Sequence, residues 1–258
     1  MLMNDIAGKD KVGLYELFVE LFHADFKGRL SLGILGNHLL NCAGLHAAAR
    51  GFGMSRINEI NYTWVLSRLV IEMNRFPLKN ERFYISTWVE DVYRLFTNRN
   101  YTVYDADRNV MGYVRSVWAM IDMDSRKPVD LISLYGDKLT SYICKDEPCP
   151  IEGPTRFRLR EQVEPECVCM PKYSDIDING HFNSIKYIEH ILDLFPVEFH
   201  DRHEVRRFEI AYQSEGRSGD ELYFYRHPCA ASENEYAVEV KKNGAELLCR
   251  ALVKFAGD

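Results

Sequence analysis

The stretch YSDIDINGHFNSIKYIEHILDLF, residues 173–195, decides how the chain can fold. Asp177, Asn179 and His181 stand at alternate positions in it, so in an extended segment their side chains lie on one face. Apolar residues at helical spacing follow directly, and Pro196 ends the pattern. The stretch therefore predicts three polar side chains presented together immediately before a helix.

The helix predicted from this pattern begins after Asn183, a residue type that caps helix N-termini. His181 then lies near the helix N-terminus, where free backbone amides and the helix dipole favour negative charge. Two interpretations stay open at this point. A carbonyl that gains oxyanion character would be stabilised there, or the three polar residues are ordinary turn and helix-start residues.

The rest of the chain repeats one order of elements, a helix followed by long strands. The first half predicts a strand over 12–26, a helix over 31–53 capped by Ser31, and strands over 64–75, 81–92, 98–105 and 110–123. After the helix at 183–194, the second half predicts strands over 204–213, 220–228, 235–241 and 246–256. Asn243 and Gly244 predict a tight hairpin between the last two.

An internal repeat supports two copies of one unit. Shifted by 139 positions, RLVIEMNRFPLKNE at 68–81 lies over RFEIAYQSEGRSGD at 207–220. A central helix wrapped by a long antiparallel sheet, twice in one chain, is an α+β double hotdog. Prolines concentrate in the middle of the chain. We therefore expect a first hotdog unit over 1–130, a linker over 131–160 and a second unit over 161–258 that carries the active site.

Composition limits the function further. The 258 residues are 47% hydrophobic and carry a net charge of −6, which argues against a nucleic-acid binder. No apolar run is long enough to span a bilayer, and the first ten residues lack a signal-peptide core. Seven scattered cysteines suit a reducing compartment, so we expect a cytoplasmic protein. The set Cys144, Cys149, Cys167 and Cys169 lacks zinc-finger or zinc-ribbon spacing, and no cofactor is expected.

Several motifs carry a family resemblance that covers nearly the whole chain. They are WVLSR at 64–68, RFP at 75–77, TWVE at 87–90, SVWAMIDMDSRKP at 116–128, DINGH at 177–181 and NSIKYI at 183–188. With these motifs the chain resembles a bacterial member of the acyl-acyl carrier protein thioesterase family, related to the plant plastid enzymes. The resemblance implies hydrolysis of fatty acyl thioesters on acyl carrier protein, which releases free fatty acid and ends chain elongation.

The resemblance also implies the site residues, which are Asp177, Asn179, His181 and, from the motif on the next strand, Glu215. Family members often have a cysteine directly after that acid, whereas this chain has Gly216. A cysteine–histidine route therefore lacks its obvious nucleophile. We expect Glu215 to activate water as a general base or to attack the carbonyl itself. Asn179 would orient water or substrate, His181 would position a group or donate a hydrogen bond, and Asp177 would hold the local network.

The repeat predicts a single active site. At the same offset Glu215 falls on Phe76, and without a gap the other three residues fall on His38, Leu40 and Cys42. The first copy would then lack the site residues, and the resemblance implies that the first unit supplies apolar walls for the acyl chain.

The acidic carrier protein needs a positive surface to dock on. Two groups of arginines are candidates, Arg156, Arg158 and Arg160 in one and Arg202, Arg206, Arg207 and Arg217 in the other. Two alternative functions stay open, an acyl-coenzyme A thioesterase and a non-catalytic module that binds acyl chains or carrier protein. The protein is expected to be a monomer or a homodimer, because a double hotdog already equals a dimer of single hotdogs.

Overall fold

The computed structural model describes residues 11–155, 164–229 and 234–256. The chain forms two compact units, the first comprising Met1–Ser67 and Met73–Glu152 and the second comprising Arg68–Glu72 and Gly153–Asp258. Each unit has a helix and long antiparallel strands, so the predicted double hotdog is confirmed. The boundaries expected at 130 and 160 stay a prediction, since 156–163 lie outside the described residues.

The first unit contains a long helix and five strands in the order β1, β3, β4, β5, β2. Its elements are β1 (Val12–Phe18), α1 (Leu32–Ala49), α2 (Met54–Asn58), β2 (Tyr62–Met73), β3 (Arg82–Val92), β4 (Phe96–Tyr104), β5 (Val110–Asp122), α3 (Leu131–Tyr135) and α4 (Asp137–Thr140). Strand β3 pairs antiparallel with β1 and with β4, which in turn pairs antiparallel with β5. Helix α1 packs on β1 and β3.

The sequence explains where α1 begins and ends. The predicted cap Ser31 accepts a hydrogen bond from the Ile34 amide at 3.4 Å. Leu35 and Leu39 recur at helical spacing and are fully buried. The helix ends at Ala49, earlier than predicted, because Gly51 adopts a φ of +81° that an α-helix does not accommodate.

The second unit repeats this arrangement on a smaller scale. Its elements are β6 (Cys167–Cys169), α5 (Ser184–Leu192), α6 (Val197–Arg202), β7 (Glu204–Tyr212), β8 (Leu222–Pro228), β9 (Glu235–Lys242) and β10 (Glu246–Ala256). Residues Arg68–Glu72 of β2 pair with β7, and β10, β9, β8 and β6 follow in that order, all antiparallel. The hairpin predicted at Asn243 and Gly244 is confirmed, with φ values of 51° and 73°.

The strand predicted over 12–26 was too long, since it ends at Phe18. A 3-10 turn follows, in which Phe22 is 95% exposed. Helices α3 and α4 lie in the proline-rich stretch that was expected to be a linker, where Leu131 and Leu139 pack with Phe52. Composition did not show these features because the packing partners are distant in sequence. Within the described residues, no helix has the length and apolar character needed to cross a bilayer.

The first prediction concerns the core of the second unit. Ile188 on α5 is fully buried, so Ile188→Ala should lower the free energy of unfolding by about 2–5 kcal/mol through lost burial and a cavity. Denaturant titration followed by circular dichroism measures this. The control Ile188→Val should cost only about 0.5–1.5 kcal/mol. Equal losses for the two variants would contradict close packing at this position.

Candidate active site

A tight loop before α5 is built around the carboxylate of Asp177. Its Oδ1 accepts hydrogen bonds from the backbone amides of Asn179 at 2.8 Å and His181 at 3.1 Å. The Asp177 amide donates to the His181 carbonyl at 2.8 Å. Gly180 has a φ of +79°, a conformation that glycine adopts without strain. The Asp177 side chain therefore fixes the backbone that carries His181.

A second loop, after β7, brings Glu215 to the same place. Strand β7 ends at Tyr212, and Glu215 follows in the loop. The Phe182 amide donates to the Gly216 carbonyl at 2.8 Å, and a β-bridge joins His181 to Arg217. As a result, His181 Nε2 lies 3.1 Å from Glu215 Oε2, with side-chain exposures of 18% and 33%.

Arg217 adds a positive charge beside this pair. Its Nη2 lies 3.4 Å from His181 Nε2 and 3.9 Å from Glu215 Oε2. A single imidazole nitrogen either donates to the carboxylate or accepts from the guanidinium. The carboxylate is the stronger partner for an N–H donor. The geometry thus favours a histidine that donates to Glu215, with the arginine reinforcing the carboxylate from one side.

The structure brings His181 and Glu215 into contact. Asp177 contacts the backbone of the loop that carries His181. The Asn179 side chain is exposed and has no hydrogen bond to any described residue. Its amide is thus available to a molecule that arrives from solvent.

Sequence reasoning missed two contributors. Arg217 was considered only for carrier docking, although its position two residues after Glu215 places both side chains on one face if the segment is extended. Asp175, which is 6% exposed, accepts from the Lys172 amide at 2.8 Å and lies 3.3 Å from His190 Nε2. No sequence signal links Asp175 to His190, since a helix turn and a loop separate them.

The first unit contains the same loop without the same site. Asp25 Oδ1 accepts from the amides of Lys27 and Arg29 at 2.9 and 3.0 Å, and the Asp25 amide donates to the Arg29 carbonyl. Arg29 forms a bridge to Leu78, as His181 does to Arg217. The first-copy equivalents of Asp177, Asn179 and His181 are therefore Asp25, Lys27 and Arg29.

This finding corrects the expected correspondence with His38, Leu40 and Cys42. His181 lies 152 positions after Arg29, whereas Arg217 lies 139 positions after Leu78. The first copy therefore has thirteen more residues between the two partners of its bridge than the second copy has. The ungapped comparison was wrong for that reason. Phe76 still corresponds to Glu215, and the first copy lacks both the histidine and the acid.

Gly216 occupies a tight position in the second loop. A Cβ atom there would lie 3.0 Å from Tyr187 Oη and 3.3 Å from Phe182 Cβ, so a side chain requires the neighbours to move slightly. Burial raises the pKa of the Cys249 thiol and raises that of Cys42 to about 12, which keeps both thiols protonated. A thiolate nucleophile is therefore not supplied by either cysteine.

A cavity of about 90 Å³ lies within the first unit. Its wall is largely apolar and includes Ala43, Ala47, Phe52, Trp64 and Trp118. Helix α1 contributes one side, and strands β2 to β5 contribute the other. The cavity thus has the character of a site for an aliphatic chain.

The sequence of this chain is similar to those of known thioesterases. Residues 15–135 match a family model described as the acyl-ACP thioesterase N-terminal domain, and 160–255 match the acyl-ACP thioesterase C-terminal domain. A palmitoyl-acyl carrier protein thioesterase of Gossypium hirsutum is 26% identical over 231 residues, which cover 85% of this chain and 55% of that protein. The chain spans about half the length of the curated plant relatives it matches.

Solved structures extend this similarity. The crystal structure of an acyl-ACP thioesterase from Bacteroides thetaiotaomicron is 56% identical, covers 96% of this chain and 99% of its own, and has a TM-score of 0.90. The 12:0-ACP thioesterase from Umbellularia californica is 15% identical, with coverage of 96% and 98% and a TM-score of 0.83. At this low identity, the similarity to the Umbellularia californica enzyme shows a shared fold.

The second prediction separates the structural role of Asp177 from any chemical one. Asp177→Ala removes the acceptor of two backbone amides and should lower the free energy of unfolding by about 1–2 kcal/mol. Asp25→Ala, the corresponding change in the other copy, should cost at least as much, because Asp25 Oδ2 also pairs with the Arg29 guanidinium. Asp177→Asn should cost less, because its amide oxygen still accepts. Denaturant titration of the three variants tests this, and an Asp177→Ala protein as stable as wild type would contradict it.

Proposed function

Because the chain belongs to the acyl-ACP thioesterase family, we propose that it hydrolyses fatty acyl thioesters of acyl carrier protein. The products are free fatty acid and carrier protein, so the reaction ends chain elongation. The observation that carries the proposal is the 3.1 Å contact between His181 Nε2 and Glu215 Oε2. It joins two groups suited to proton transfer at a partly exposed site.

In the proposed reaction Glu215 acts as general base. Its carboxylate takes a proton from water as the water oxygen attacks the thioester carbonyl. The tetrahedral intermediate then collapses with cleavage of the carbon–sulfur bond, and the carrier thiolate leaves and takes up a proton. Water supplies the hydroxyl of the fatty acid, so the chemistry needs no cofactor. A direct attack by Glu215 on the carbonyl is the less favoured route.

His181 and Arg217 position the base. The imidazole of His181 and the guanidinium of Arg217 both lie against the Glu215 carboxylate. These contacts restrict the rotation of the carboxylate, which keeps it aimed at the attacking water. Asn179 is proposed to orient water or the thioester through its exposed amide, and Asp177 to hold the loop that carries His181.

The acyl chain is proposed to lie against the apolar wall of the cavity in the first unit, where Phe52, Trp64 and Trp118 supply aromatic surface. The partner is acyl carrier protein. Arg202 and Arg217 are exposed arginines of the second unit, whereas Arg207 forms ion pairs with Glu72 and Glu209. Of the remaining candidates, Arg206 lies 3.7 Å from Glu204, and Arg156, Arg158 and Arg160 lie outside the described residues.

We also propose a reducing location, the cytoplasm. All seven cysteines are among the described residues, and none of them forms a disulfide there. Cys42 and Cys249 are deeply buried and Cys167 is exposed, a scatter that suits thiols kept reduced by the compartment.

The third prediction tests the base. Glu215→Gln keeps the shape of the side chain but cannot accept the proton, so kcat should fall by about 100-fold to 10,000-fold. Release of free thiol from acyl carrier protein substrates measures the rate. The matched control is Glu221→Gln, which alters an exposed glutamate directly before β8 and should leave the rate unchanged.

A double-mutant cycle sharpens the same test. If Glu215 and His181 act as one unit, His181→Ala should also lower kcat, and the double variant should be little slower than Glu215→Gln alone. Full multiplicative loss in the double variant would mean that the two residues act separately. Wild-type rates in both single variants would refute the assignment.

The fourth prediction concerns the carrier. For the same acyl group, kcat/KM should be about 10-fold or more higher on acyl carrier protein than on coenzyme A, since an acidic protein can contact several exposed arginines over a larger surface than coenzyme A can. Added salt should reduce that advantage by screening. A strong preference for coenzyme A would identify a coenzyme A thioesterase instead.

A further inference from the structure

A buried arginine lies in the wall of the first-unit cavity. Arg99 on β4 is 7% exposed and lines the cavity beside His46, Arg50 and Thr97. No acidic residue is among the lining side chains. A cation in an apolar cavity is costly unless an anion or several acceptors satisfy it.

The hydrogen bonds of Arg99 do not supply that anion. Its Nη1 lies 3.2 Å from Thr87 Oγ1 and 3.1 Å from His46 Nδ1. His46 Nε2 lies 3.3 Å from the Lys11 carbonyl, so the consistent tautomer donates there and accepts from Arg99. Burial, followed by the charges of Arg99 and Arg50, lowers the pKa of His46 to about 2. The imidazole is therefore neutral and leaves the charge of Arg99 uncompensated.

Three other partly buried arginines of this chain each have a carboxylate partner, which Arg99 lacks among the described residues. Arg115 is paired with Glu90, Arg207 with Glu72, and Arg226 with Glu166, at side-chain exposures between 15% and 25%. Arg99 is more deeply buried, and within 11–155, 164–229 and 234–256 it forms no ion pair. Its guanidinium thus differs from those of these three arginines in lacking a carboxylate partner in the described part of the chain.

Further positive charge lies around the same cavity. Lys138 Nζ lies 5.5 Å from the centroid of the Phe52 ring, and the Arg50 guanidinium lies 5.7 Å from that of Tyr142. Both rings line the cavity. An anionic group is therefore attracted towards an interior whose remaining wall is apolar.

The equivalent position in the second unit is closed. Strand β4 of the first unit corresponds to β9 of the second, because Val103 pairs with Ile85 as Val240 pairs with Phe224. Arg99 lies four residues before Val103, and Tyr236 lies four residues before Val240, so Tyr236 occupies the position equivalent to Arg99. Tyr236 packs 4.9 Å from Phe195, which in turn lies 4.9 Å from Phe255. Aromatic rings thus fill the space that in the first unit is a cavity.

We propose that the first-unit cavity is a binding site for an aliphatic carboxylate, with the carboxylate on Arg99 and the hydrocarbon chain along the apolar wall. An alkyl chain alone would leave the guanidinium without its missing partner, whereas a carboxylate supplies both charge and acceptors. The site does not depend on the hydrolysis proposed above. If that hydrolysis also holds, a free fatty acid would compete with the acyl chain for this cavity.

Binding of ligands that differ only in the head group tests the proposal. Octanoate, dodecanoate and hexadecanoate are compared with the alcohols of equal length by calorimetry, without any thioester present. At least one acid should bind about 10-fold or more tightly than its alcohol, as a charge-assisted hydrogen bond to the guanidinium requires. Binding of the acid should weaken as the pH falls through its pKa. Absence of acid binding, or equal affinity for acid and alcohol, would overturn the proposal without bearing on hydrolysis.

Variants then locate the head group. Arg99→Met keeps the length of the side chain without the charge, and the ratio of acid to alcohol affinity should fall to about 1. Arg99→Lys should retain part of the preference. Arg94→Met, which removes a 79% exposed arginine of the same unit, is the matched control and should keep the wild-type ratio. An Arg99→Met protein that is folded by circular dichroism and still prefers the acid would refute the assignment to Arg99.

Discussion

The position of His181 depends on one carboxylate oxygen that accepts from two backbone amides. Asp177 Oδ1 holds the amides of Asn179 and His181, and the closed loop then aligns the Phe182 amide with the Gly216 carbonyl. That second link carries Glu215 to within 3.1 Å of the imidazole. The contacts of Asp177 are local, whereas the link from Phe182 to Gly216 joins residues thirty-four positions apart in sequence. Precision at the site therefore comes from backbone hydrogen bonds more than from side-chain packing.

The two copies separate scaffold from chemistry within one chain. Asp25 makes the same pair of backbone contacts as Asp177, although Arg29 stands in place of the histidine and Phe76 in place of the acid. A residue kept where the chemistry is absent has a structural reason to be there. The contact between His181 and Glu215 occurs in the second copy, and the first has Arg29 and Phe76 at these positions, so the proposed chemistry is confined to the second copy.

Local signals in the sequence predicted much of the fold. Ser31 and Asn183 cap their helices as expected, and Asn243 with Gly244 forms the hairpin, because each depends on neighbours a few residues away. The contact of His46 with Arg99 and the packing of α3 and α4 were not predictable in this way. They depend on which distant strands lie together, and an ungapped repeat cannot supply that information. The four candidate site residues came from a family motif and not from periodicity.

The thirteen extra residues of the first copy, which made the ungapped comparison wrong, also account for the cavity. Helix α1 has 18 residues and α5 has nine, and with the loops aligned the end of α5 corresponds to Leu40. The remainder of α1 carries Ala43, His46 and Ala47, all of which line the cavity. In the second unit α5 ends at Leu192, and after Pro196 the chain turns into α6, where Phe199 joins the aromatic cluster around Phe195. A longer helix with small side chains therefore opens the interior of one copy, while a shorter helix followed by aromatic residues closes the other.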